Sequence, residues 1–109
     1  MIEKLNIFDS LPIDKENEKF FEIFKNENIR IEKIVSNGQK SLENFWYDQK
    51  ENEFILLLQG DAILEVIENN DIKEIKLKTG DYLDIKAHVK HRVAYTSESK
   101  TTIWLAIFY

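Results

Sequence analysis

Glu53-Phe54-Ile55-Leu56-Leu57-Leu58-Gln59-Gly60-Asp61 and, twenty residues after Gly60, Gly80-Asp81-Tyr82-Leu83-Asp84-Ile85-Lys86-Ala87-His88-Val89-Lys90-His91 are the stretches on which the fold turns. Six residues separate Glu53 from Gly60, and ten separate Gly80 from His91. The first stretch is a short apolar run closed by a Gly-Asp corner. Strand alternation puts Glu53, Ile55 and Leu57 on one face, and His91, Val93 and Tyr95 on one face of another strand. If both faces look inward, a carboxylate and an imidazole share a largely apolar cavity. That is the setting in which a carboxylate pKa rises or a metal is retained.

Working outward, the chain from Asn28 to Tyr109 reads as strands and turns. Residues 28–35 are β-branched and roughly alternating, and Ser36-Asn37-Gly38 punctuates them. Residues 62–67 follow the Gly60 corner. Glu68-Asn69-Asn70-Asp71 is a hairpin turn, because Asn and Asp tolerate left-handed backbone. Residues 72–78 form a short strand with Ile75 and Leu77 on one face, and 91–96 alternate again. The last strand, 101–109, is apolar on both faces and is expected to be buried on both. Turns roughly every ten residues point to an all-β sandwich or barrel. The first 27 residues are more ambiguous. A helix starting near Asp14 and a strand through Phe20–Phe24 fit equally well, and the β character of the rest favours the strand. The Phe20–Phe24 cluster is expected to be core or dimer contact.

The chain has 109 residues and no cysteine, which suits one domain and excludes disulfides, thiolate metal sites and cysteine nucleophiles. This fits a reducing compartment, and a cytoplasmic location is expected. No leader and no long apolar run indicate secretion or a membrane span. A net charge of −5 argues against nucleic acid as a partner. Three glycines are too few for a phosphate loop, and the serines show no nucleophile elbow. Glu51 and Glu53 are expected to sit one at the rim of the cavity and one inside rather than to act as a glycosidase pair.

Taken together, these motifs resemble those of the cupin superfamily. Its first motif runs glycine, five residues, His-any-His, three or four residues, glutamate, six residues, glycine. Glu53 and Gly60 fit it, but the histidine positions fall on Trp46 and Asp48 or on Tyr47 and Gln49, depending on the spacer. In the second motif Gly80 and His91 fit, while Lys86, His88 and Tyr95 replace its proline, second glycine and asparagine. The wider strings Phe45-Trp46-Tyr47-Asp48-Gln49, Leu57-Leu58-Gln59-Gly60, Gly80-Asp81-Tyr82, His91-Arg92-Val93 and Trp104-Leu105-Ala106 are similar to a subgroup of small single-domain cupins. The resemblance covers Asn28 to Tyr109, leaving 1–27 as an N-terminal extension.

The resemblance implies a double-stranded β-helix, or jelly-roll barrel, and a homodimer, which the two-sided apolar last strand also suggests. It implies a small-molecule ligand in the barrel, and a divalent Fe, Mn, Ni or Zn held by Glu53, His91 and one of Asp48 or Gln49. With such a metal, oxygenase, isomerase or lyase chemistry is open, Glu53 and His91 being the catalytic pair. The competing readings are a metal-free Glu–His pair in a binding or sensing module, and a stress or storage protein whose dimer surface does the work. Tyr47, Gln49, His88, Tyr95 and Trp46 are the further pocket candidates, with Phe54 as another aromatic wall residue. Asp48 pointing inward would favour a metal. Tyr47 and Gln49 pointing inward would favour a polar organic ligand, since both donate and accept hydrogen bonds.

Overall fold

A computed structural model describes all 109 residues. Eight strands follow in chain order: β1 (Lys19–Lys25), β2 (Arg30–Ser36), β3 (Glu53–Gln59), β4 (Asp61–Glu68), β5 (Asp71–Lys78), β6 (Tyr82–Ile85), β7 (His91–Thr96) and β8 (Thr102–Phe108). They form two antiparallel sheets, β1-β2-β8-β3-β6 and β5-β4-β7. Alternation decides which side chains meet between them. Ile55, Leu57, Ala62, Leu64, Leu77, Ile85, Trp104, Ala106 and Phe108 form one buried core, each large apolar side chain there contributing roughly 1.5–3 kcal/mol. No helix is long and apolar enough to cross a membrane.

The turns follow local chemistry. Asn69 and Asn70 both take positive φ, 52° and 65°, and close the β4–β5 hairpin, the requirement of a type I′ turn. Gly60 has φ +100°, and a Cβ there would lie 2.5 Å from Thr102 Oγ1 and 2.8 Å from Thr102 Cα. Gly80 has φ +94° with open space around it. The first glycine is needed for close approach as well as for its dihedral, the second for its dihedral alone.

In the N-terminal segment the strand prevails. Asp14 Oδ1 accepts from the backbone N–H of Glu16 and Asn17, at 2.9 and 3.0 Å. It lies where the sequence offered a helix start, but no helix follows, and Phe20, Phe21, Ile23 and Phe24 belong to β1. A bulge between Glu22 and Phe24 reverses the facing pattern of β1, so Phe20 lies over the inner face and Phe24 lies outside. β8 is central, and its inward Trp104, Ala106 and Phe108 are buried. Its outward side is buried at Ile103 and only half-buried at Leu105 and Ile107, so burial on both faces is incomplete.

Candidate functional site

Four neighbouring strands bring the polar residues into register. Arg30, Phe108, Glu53 and Ile85 form one continuous row across β2, β8, β3 and β6. Side chains in such a row share a face, so Glu53 and Arg30 both look into the barrel. His91 arrives from the opposite sheet, paired with inward Val66 of β4. The loop before β3 supplies the next wall. Tyr47 and His91 exchange both backbone hydrogen bonds, at 2.8 and 3.1 Å. Directly paired residues project to the same side, and the two rings stack with centroids 5.5 Å apart. Gln49, two residues on, shares that side.

These residues line a cavity of about 240 Å³ together with Glu18, Glu32, Phe20, Trp104 and several aliphatic side chains. Glu53 and His91 are buried, and His91 Nε2 lies 3.3 Å from Glu53 Oε1. The other ring nitrogen, Nδ1, is 2.9 Å from the Val89 carbonyl oxygen. A carbonyl only accepts, so Nδ1 carries a proton. When the imidazole is protonated, Nε2–H points at the Glu53 carboxylate, and the pair holds that proton between them. Burial pulls the His91 pKa down, but the Glu53 hydrogen bond, the Val89 carbonyl and the Glu53 charge outweigh it, and the imidazole titrates above its ordinary value.

Glu18 was not singled out by the sequence. It sits just before β1 and accepts a hydrogen bond from buried Ser36 at 2.5 Å. Burial raises its pKa despite that hydrogen bond. Burial also raises Tyr47, and the charges of Glu18 and Glu53 add to this. No motif marks Glu18, because its place depends on the long-range pairing of Lys19 with Val35.

Several expected positions are corrected. Asp48 points away from the cavity, because it alternates with Tyr47 and Gln49, and pairs with His88 at 2.9 Å on the exposed rim. His88 is exposed with φ 66°. Tyr95 is 42% exposed. The register of β7 against β4 shifts between Ile63 and Leu64, so Tyr95 opposes outward Ile63 while Val93 opposes inward Leu64. The extra residue, Ala94, flips the face. Trp46 lies under the Arg92 guanidinium, 5.8 Å from ring centre to Cζ, outside the cavity. Phe54 packs outside against Tyr82, the rings tilted by 33° with centroids 5.4 Å apart. Glu51, by contrast, is at the rim as expected, 3.1 Å from Arg30 Nη1, with Glu53 inside.

The donor set tests the implied metal. Nδ1–H bound to a carbonyl is the orientation a metal-ligating imidazole uses, but a site needs more donors. Asp48 is turned outward, Gln49 is a neutral amide and the Tyr47 phenol is held protonated. No three His, Cys, Asp or Glu side chains come together. The residues present do not fit a resident divalent transition metal.

Against known families, the cupin domain model matches residues 34–108. A protein from Ralstonia eutropha JMP134, named a candidate mannose-6-phosphate isomerase, is 34% identical with a TM-score of 0.91, covering 98% of this chain and 97% of that one. A cupin superfamily protein from Desulfitobacterium hafniense DCB-2 is 17% identical with a TM-score of 0.72, over 89% of this chain and 81% of that one. Hydroxypropylphosphonic acid epoxidase from S. wedmorenis is 16% identical with a TM-score of 0.73, covering 100% of this chain but 59% of its own. The last two likenesses concern the fold. Comparison with curated proteins finds no match.

Proposed function

The chain belongs to the cupin domain family, and on that premise we propose that its barrel cavity binds a small organic molecule on the proton-sharing Glu53–His91 pair, without a resident metal. The observation that carries this is the pair itself: an imidazole between two acceptors, buried in the wall of a cavity of about 240 Å³. Such a pair anchors a ligand hydroxyl or carbonyl through a charge-assisted hydrogen bond. It also moves one proton to or from a ligand, the elementary step of acid–base isomerase or lyase chemistry. Tyr47 and Gln49 supply the directional hydrogen bonds beside it.

The Ralstonia relative's name suggests a sugar phosphate, but the charges here oppose a phosphate. Glu18, Glu32 and Glu53 line the cavity against one guanidinium, Arg30. Arg30 is already paired with Glu32 and Glu51, each at 3.1 Å, and lies 4.1 Å from the Phe108 ring centre.

The test is a thermal-shift screen of small polar metabolites on wild type and His91→Gln, with and without chelator. Stabilisation that persists in chelator and disappears in His91→Gln supports the reading. Near-stoichiometric Fe, Mn, Ni or Zn in the purified protein, lost in His91→Ala, overturns the metal-free part. A binding module without turnover is the second reading, favoured because both His91 nitrogens already have partners.

The assembly we propose is a homodimer through the outer face of the five-stranded sheet. Phe24 and Tyr82 are exposed there, and Phe54, Leu56, Leu105 and Ile107 are half-buried, a contiguous apolar surface of the kind that marks an interface. Light scattering that finds only a 13.0 kDa species overturns it.

A further inference from the structure

We propose that the cavity selects an organic cation, an amine in its ammonium form, and that Glu18 is the residue that recognises it. The inference rests on the small-molecule reading above and narrows it to one charge class.

The argument is a balance of charges around the cavity. Of the groups that face it, Glu53 is matched by His91 and Glu32 by Arg30. Arg30 is further held by Glu51 and packed on Phe108. Lys19 turns away to Asp14, at 3.2 Å. Glu18 is left with a hydroxyl, Ser36 Oγ, and no cation. Lys40 lines the adjoining cleft with Glu18 but is exposed and makes no ion pair. Glu22, opposite Glu32 across β1 and β2, adds another carboxylate at the rim. The surplus in and around the cavity is therefore negative.

The walls are the second half of the argument. Phe20, Tyr47 and Trp104 line the same cavity. A carboxylate among aromatic rings suits an alkylammonium, whose charge is met by the carboxylate and whose apolar carbons and N–H edges are met by the rings. A ligand cation would also neutralise the desolvated Glu18 carboxylate, which has no protein partner to do so. An anion would meet that carboxylate with nothing to offset it. Phe20, 57% exposed, stands at the entrance, so a small ligand enters past it.

The probes are 2-phenylethylamine, 2-phenylethanol and phenylacetate, which share a ring and differ in charge. Binding is followed by chemical-shift changes in the full chain, in wild type and in Glu18→Gln. The glutamine keeps a hydrogen bond to Ser36, and an unchanged spectrum away from the cavity checks the fold. The expected result is that the amine binds about tenfold more tightly than the alcohol, that phenylacetate binds most weakly, and that Glu18→Gln removes the amine's advantage while leaving the alcohol unchanged. Equal binding of amine and alcohol, or tighter binding of phenylacetate, overturns the cation inference and leaves the cavity reading standing. An amine preference that survives Glu18→Gln overturns the role of Glu18. No shift with any probe at tens of millimolar overturns both.

Discussion

The two sides of the cavity have different origins. One side, Tyr47, Gln49, Glu53 and His91, comes from within residues 34–108, the part that matches the cupin family. The other, Glu18, Phe20, Arg30 and Glu32, comes from residues that precede that match. The first side holds a matched, buried, proton-sharing pair. The second holds the unmatched carboxylate and the exposed aromatic. In the proposed function, the fold's common part would supply the chemistry that a ligand uses, and the N-terminal strands the charge that chooses among ligands.

The harshest way to break the core side is at Gly60. Gly60→Ala adds a clash with Thr102 backbone to an unfavourable dihedral. It should cost about 3 kcal/mol or more in urea denaturation, against about 1–2 kcal/mol for Gly80→Ala, where only the dihedral suffers. Equal losses at the two glycines would remove close packing from the explanation.

Next comes the buried pair. His91→Leu leaves Glu53 buried without its partner and should cost about 3 kcal/mol, while the double change with Glu53→Leu should cost less than either single change. The pH dependence has a definite sign. The His91 pKa is raised in the folded chain, so its stabilisation is complete below the unfolded value of about 6.5 and is lost as pH rises through the folded value. Wild type should therefore lose its advantage over His91→Gln between mildly acidic and alkaline pH. In Glu53→Gln, NMR titration should show the His91 pKa falling; an unchanged value would mean that the proton is not shared.

On the N-terminal side the pH dependence has the same sign, but the effect of substitution should be opposite and weaker. Glu18 has a raised pKa because of burial. Its carboxyl therefore favours folding least once pH has risen through the folded value, and Glu18→Gln should raise the melting temperature at neutral pH by a few degrees at most, with no gain at acidic pH. A loss at neutral pH would show that the carboxylate is stabilised by a cation.

The smallest effects belong to the rim. The Asp48–His88 pair is exposed, so Asp48→Asn should change stability by less than about 0.5 kcal/mol and leave cavity binding unchanged. His88→Gly should stabilise by up to about 1 kcal/mol, because His88 holds a left-handed backbone with φ 66°. Loss of ligand binding on Asp48→Asn would return Asp48 to the site.

The amino-acid sequence by itself determined the β architecture, the turn glycines and the two cupin motifs, because alternation, turn chemistry and motif spacing are local properties. Glu53 and His91 were legible for the same reason: each sits at a fixed offset from a turn glycine, on a strand whose inward face is apolar. Only the tertiary structure decided the rest. The face of Tyr47, Asp48 and Gln49 depends on the two hydrogen bonds that lock Tyr47 to His91, a partner distant in sequence. Tyr95 left the cavity because of one extra residue in the pairing of β7 with β4, a shift no local pattern encodes. Glu18 entered it because β1 pairs with β2 and Ser36 waits at the junction. Strand register over long separations is set by packing of the whole sheet, and register is what assigned these side chains to the inside or the outside.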